Sequence, residues 1–257
     1  MKFWLAPIVL LSAAQFAHAD VTLTFKEIIH SGLVTYSIKN QQIKLIQSNE
    51  KRANLFDEKK QQFVSFEPES GKQSIINKDI LDKRVAQLNQ QRLKKLAQVE
   101  LQLAKKLQTM SAEEQQVGES LVNVLKYPES YGAHTQLRVK KSNKSKQIQN
   151  INCDVYTLFR TKHRLKEFCV AAPSALKINT RDYQTLRSFY AFNYNMQTRL
   201  LLAMGKTQFT LVDYEQEKIP GIVIETISYK GADITQHIIL ESVDTAAIAD
   251  AAFKRPN

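Results

Sequence analysis

The stretch NCDVYTLFRTKHRLKEFCVA, residues 152–171, sets the architecture expected of the whole chain. Val155, Thr157 and Phe159 alternate with Tyr156 and Leu158, and a second strand-like run covers 166–171. Alternation with period two marks a strand, and the polar segment 160–164 between the runs makes the pair a hairpin. A hairpin centred on Thr161 puts Cys153 directly opposite Cys169, the chain's only two cysteines. Facing residues of an antiparallel pair have Cα atoms roughly 4.5–5.5 Å apart, which a disulfide can bridge. Closing a loop of about 15 residues in this way stabilises a fold by about 3 kcal/mol. The C-x-x-C spacing of redox-active pairs is absent, so a structural bridge is expected.

The same pattern extends outward in both directions. Towards the N-terminus, Val21, Leu23 and Phe25 alternate with polar residues, as do Val34, Tyr36 and Ile38, then Ile43 and Leu45, with a turn at Asn40-Gln41. Residues 54–56 and 63–66 flank a polar turn, and a short run follows at 74–76. The period then changes. Residues 78–107 contain neither Gly nor Pro and are dominated by good helix formers. Asn77 stands as N-cap, with Asp79 and Asp82 near the positive end of the helix dipole. Leu81, Val85 and Leu88 form one apolar stripe, which slips in phase near Arg92 before Leu96, Val99, Leu103, Leu107 and Met110 resume it. Ser111-Ala112-Glu113-Glu114 has capping-box form and starts a second helix that ends before Tyr127-Pro128. The stripe is too short and too broken for a coiled coil, so packing on the protein's own sheet is expected.

Beyond this helical insert, about 78–126, strands resume at 135–140, with a turn at 142–145 ahead of the cysteine hairpin. A further helix spans roughly 182–204, and strands at 222–229 and 234–243 flank a turn containing Gly231. Phe253 in the closing segment should dock on the body. Strands, a helical insert, more strands, one helix and a final hairpin specify an α+β fold. The simplest assembly is one domain, 20–257, in which helices cover the concave face of a curved antiparallel sheet.

Residues 1–19 read as a secretory signal. Met1 and Lys2 precede an apolar run at 3–11, and Ala17-His18-Ala19 has the small-x-small form read by signal peptidase. Cleavage after Ala19 would leave a periplasmic chain beginning at Asp20, in a compartment where disulfides persist. There the formal charge, +11 for the full sequence and about +10 without Lys2, suits anionic lipid, acidic polysaccharide or acidic protein, against the simpler reading of lysines that keep the protein soluble, and nucleic acid is not expected as a partner.

Chemistry is sparse. The sequence holds no G-x-S-x-G, H-E-x-x-H, G-x-G-x-x-G or P-loop pattern. His30, His134, His163 and His237 lie in separate segments without metal-ligand spacing. Asp213, Glu215 and Glu217 alternate but lack the glycine and oxygen density of a calcium loop. A non-enzymatic protein without metal or cofactor is expected. Two candidate sites remain. Arg138, Lys140, Lys141, Lys144 and Lys146 form a basic cluster with no acidic residue over 135–150, and Arg160, Lys162, Arg164 and Lys166 lie on the next hairpin. Together they make a candidate anion-binding rim, against the simpler reading of a solvated face. The helix at 182–204 carries Phe189, Tyr190, Phe192, Met196, Leu200 and Leu201, more apolar surface than one stripe requires. Phe189, Phe192, Met196 and Leu200 are therefore candidate walls of a ligand cavity, against the commoner reading of a filled core.

The order of these pieces resembles a family of exported bacterial proteins with a lipoprotein-carrier-like (LolA/LolB-like) fold. Residues 54–66, NLFDEKKQQFVSF, look like the family's paired strands around a polar turn. Residues 103–125, LAKKLQTMSAEEQQVGESLVNVL, resemble its Met-Pro-Pro-Glu-Gln helical insert, with Ser111-Ala112 in place of the prolines. Residues 152–171 resemble its two-cysteine hairpin, and 221–256 its closing hairpin with a Phe-x-x-Pro end. The resemblance implies a half-open β-barrel whose helices shelter lipid chains, and it supplies no catalytic residues. The leading expectation is a periplasmic binding protein holding a lipid or other apolar ligand between sheet and helices. The alternative is an envelope protein whose basic hairpins contact an anionic surface.

Overall fold

The computed structural model describes residues 20–106, 109–131 and 136–254. The expected signal at 1–19, Leu107, His134, the strand start at Thr135 and the Pro256 of the C-terminal motif lie outside the described residues.

Eleven strands form one open antiparallel sheet in the order β6-β5-β4-β3-β2-β1-β11-β10-β9-β8-β7. Strands β1 (Val21–Glu27), β2 (Gly32–Lys39), β3 (Gln42–Gln47), β4 (Ala53–Asp57), β5 (Gln62–Phe66) and β6 (Gln73–Ile76) meander to one edge. Strands β7 (Leu137–Ile148), β8 (Ile151–Arg160), β9 (His163–Ala171), β10 (Ile222–Lys230) and β11 (Asp233–Asp244) meander back from the other edge. The two meanders join at the centre, where β1 pairs with β11. Tight two-residue turns at Asn40-Gln41 and Gln149-Asn150 have both residues at positive φ, the hairpin geometry that matches strand twist.

Helices α1 (Lys78–Lys106), α2 (Ala112–Lys126) and the short α3 (Pro128–Tyr131) carry the chain from edge strand β6 to edge strand β7. The expected caps form. Asn77 Oδ1 accepts from Ile80 N at 3.0 Å, and Ser111 and Glu114 exchange both bonds of a capping box. The phase slip near Arg92 has a physical cause, because its guanidinium leaves the stripe to donate to the carbonyl of Leu125 at the end of α2. Helix α4 (Thr180–Ala203) connects β9 to β10, packs on β2 and β3, and contacts α1. The main core lies between α4 and the sheet and includes Leu23, Ile38, Ile43, Phe56, Leu186 and Phe189. A smaller core holds the C-terminal segment, where Phe253 packs with Ala53, Leu55, Val64 and Phe66. Lys39 ties that segment down through Asp250 at 3.0 Å, and Asp20, 3.2 Å from Lys39, accepts from Ile248 N at 2.7 Å, so Phe253 docks as expected.

Two local expectations need correction. Residues 142–145 are not a turn but a bulge inside the continuous twelve-residue strand β7, which turns only at Gln149-Asn150. The disulfide does form, with Cα atoms 5.4 Å apart, yet the cysteines are diagonal in the ladder. Cys153 faces Ala171 and Cys169 faces Val155. The hairpin turns on two residues, Thr161 and Lys162, and a bulge beside Phe159 shifts the register further.

Candidate functional site

The space between the sheet and α4 is built by strand alternation. Leu23 and Phe25 of β1 and Tyr36 of β2 project towards the helix, with Leu23 opposite Tyr36 in the ladder. An aromatic chain then crosses the layer. Phe25 meets Tyr36 edge-on at 5.7 Å, Tyr36 meets Phe189 at 6.3 Å, and Phe189 meets Phe56 at 5.6 Å. In the other direction Phe189 contacts Tyr190, which stacks on Tyr214 at 5.1 Å, and Tyr214 reaches Phe168 of β9.

Against Leu137, Val139 and Leu158 of the outer strands, Tyr194 of α4 is joined by the irregular segment 206–221. That segment is pinned by Arg187 of α4, which donates to Glu215 and to the Ile219 carbonyl. At its end the chain passes so close to β9 that a Cβ on Gly221 would sit 2.4 Å from the Ala171 oxygen. Helix and segment together leave three adjoining cavities. One of about 220 Å³ is walled by Leu23, Phe25, Val34, Leu186, Val223 and Ile238. Tyr36, Tyr190 and Tyr214 line both it and a second of about 210 Å³, which adds Lys166, Phe168, Asn193 and Gln197. Tyr194, Leu211 and Val212 separate that from a third of about 240 Å³ against Leu137, Val139 and Leu158.

Burial perturbs the polar groups here. Desolvation raises the Tyr36 hydroxyl to about 12 and pushes Tyr190 and Tyr214 up as well. The Lys166 ammonium is pushed down by the same loss of water, and it has no ion-pair partner among the described residues. Lys166 therefore does not belong to a surface rim. Its ladder partners are Leu158 and Ser228, and the alternation of β9 puts it on the face of Phe168 and Val170.

Of the expected cavity residues, Phe189 lines the second cavity. Phe192 packs on Phe56 at 5.4 Å, while Met196 and Leu200, both half-buried, line none of the three cavities. Tyr36, Tyr214 and Lys166 were missed. The signal for Lys166 was present, as a lysine in phase with Phe168 and Val170.

The basic cluster lies along β7, an edge strand. Arg138 donates to the Thr161 carbonyl at 2.6 Å, Lys141 pairs with Asp154 at 2.6 Å, and Lys146 bridges Glu167 at 2.8 Å and Glu225 at 2.9 Å. Lys140 and Lys144 have no ion pair among the described residues. Lysines on an edge strand discourage pairing with another chain, which accounts for their position without a ligand. Beside them, Glu225 accepts from Lys146 and lies 3.0 Å from His237 Nε2, a charge network satisfied within the fold. The alternating carboxylates also have structural tasks. Asp213 accepts from Glu215 N at 3.0 Å, Glu215 pairs with Arg187, and Glu217 accepts from Val139 N. Among the described residues no group of three or more His, Cys, Asp or Glu is placed to hold a metal ion.

No family model matches the chain, and no curated protein matches it. Among solved structures the chain is similar to PNGF-II in its C2 crystal form, with a TM-score of 0.38 and 8% identity. The match covers 93% of this chain and 30% of that one, so this chain spans less than a third of its length. A likeness at that level bears on neither fold nor function.

Proposed function

We propose that the protein is an exported, non-enzymatic binding protein that holds an acyl chain or similar apolar ligand between the sheet and α4. The observation that carries this reading is the row of three adjoining cavities along that layer. A well-filled core leaves few voids larger than a water molecule, whereas ligand sites are concave and mostly apolar. The walls of the first cavity suit an alkyl chain, and the tyrosines between cavities offer polar atoms without charge. The disulfide fits an oxidising compartment, and with residues 1–19 read as a signal the site of action is the periplasm. In this reading the sheet is the half-open barrel of the lipoprotein-carrier-like fold, and the helices cover its concave face.

Native mass spectrometry of protein purified without detergent, followed by uptake of decanol by the delipidated protein, tests the reading. Val223→Phe, which fills the first cavity, should abolish uptake while the far-ultraviolet spectrum stays unchanged. A protein that carries no small molecule and takes up no decanol would end the proposal.

A further inference from the structure

The second cavity differs from the first in one respect that apolar binding does not use. The first has no charged wall, whereas the second is entered by Lys166. Around the lysine stand Asn193 and Gln197 of α4, with Gln197 Nε2 donating to Asn193 Oδ1 at 2.7 Å, and Thr210 of the covering segment. Its strand neighbour across the ladder is Ser228, whose hydroxyl is buried and has no hydrogen-bond partner among the described residues. A cation half-withdrawn from water beside amide and hydroxyl groups is unfavourable unless a counter-charge arrives. The three tyrosines that line both cavities place this polar end next to an alkyl-sized apolar end.

We infer that the cavities accept a single-chain anionic amphiphile, with the tail among Leu23, Phe25 and Ile238 and a carboxylate or phosphate headgroup on Lys166. The inference rests on the proposed binding function and adds the chemical class of the ligand. The lowered basicity of the amine agrees with it, since burial without a partner is what an incoming anion would relieve. A charge-assisted hydrogen bond in a partly dry site is worth about a tenfold preference or more over a neutral headgroup.

The test is titration calorimetry of the delipidated protein with decanoate, decyl phosphate, decanol and decyltrimethylammonium. Decanoate or decyl phosphate should bind about tenfold tighter than decanol, and the tighter of the two identifies the headgroup. Lys166→Met should bring both anions down to the decanol affinity and leave decanol unchanged, and Lys166→Arg should keep the preference. Equal binding of all four by the natural protein, or an anion preference that survives in Lys166→Met, overturns the inference while decanol binding upholds the apolar cavity. If none of the four binds, the cavity reading falls and the inference with it.

Discussion

The two halves of the sheet solve the same problem differently. Over β2 to β4 the cover is a helix, and Phe189 sits at the crossing of Tyr36, Phe56 and Tyr190 with 4% of its surface exposed. Over β7 and β8 the cover is mainly the irregular segment 206–221, with Tyr194 of α4 at its border, and β8 and β9 carry the disulfide. A helix presents a regular row of side chains that can interdigitate with a pleated surface. An irregular segment cannot keep that register, so it leaves cavities, and a covalent bond helps to hold the strands beneath it. The third cavity lies mostly under the irregular segment, the second is walled by both covers, and the first lies under Leu186 and Tyr190 of the helix itself.

The largest effect expected from this contrast is at Phe189. Phe189→Ala should destabilise the protein by about 3–5 kcal/mol, measured by urea unfolding, because the ring is almost fully buried and packs on Tyr36, Phe56 and Tyr190. A loss below about 1 kcal/mol would mean that the helix-covered half is packed no better than the other. Replacing Cys153 and Cys169 by alanine comes next, at about 3 kcal/mol, the value for a bridge closing a loop of about 15 residues. Hydrogen exchange should then quicken in β7 to β10 and remain slow in β1 to β5. Uniform acceleration would show that the two halves unfold as one unit and break the contrast.

How far this division could be read in advance depends on the range of the interactions involved. Strands such as β1, β2 and β8 declare themselves, because alternation is a property of neighbouring residues. The caps at Asn77 and Ser111 are equally local, as are the turns at Asn40-Gln41 and Gly231. The pairing of β1 with β11 joins residues more than two hundred positions apart, and nothing local encodes it. The bulges beside Phe159 and within β7 escaped for a related reason. Each inserts residues without changing composition, so the cysteines came out directly opposed instead of diagonal, and a strand was cut at 142–145. The candidate site was half legible. An apolar surplus on α4 pointed to the layer that holds the cavities, but helix position alone does not say that Phe189 lines one while Met196 and Leu200 line none of the three. Lys166 was grouped with its basic neighbours because charge was read along the chain and not across the pleat.

The tyrosines at the boundary between the halves give a pH handle. The Tyr36 hydroxyl titrates near 12 in the fold and near 10 once unfolded, so above about pH 10 the unfolded chain binds fewer protons than the native one. This group leaves stability unchanged below that pH and lowers it through the window up to about 12, by about 1.4 kcal/mol per pH unit. Tyr190 and Tyr214, raised in the same direction, steepen the fall. Tyr36→Phe should flatten it, and a variant whose alkaline unfolding midpoint does not move would show that the ring is hydrated in solution.

The smallest effect on stability is expected at Leu211, where the contrast can be drawn most finely. Leu211 is half-buried and stands in the partition between the second and third cavities, on the irregular segment. Its removal takes little apolar surface out of contact, so Leu211→Ala should lower stability by about 1 kcal/mol, well short of the loss at Phe189. Its effect on binding should be larger than its effect on folding. Without the leucine the second and third cavities join, and a chain too long for the natural space gains somewhere to go. Tetradecanol should therefore gain affinity relative to decanol in Leu211→Ala, while decanol itself changes little. If the longer alcohol gains nothing, or if stability falls as far as in Phe189→Ala, then segment 206–221 is as closely packed as the helix and the third cavity is no extension of the second.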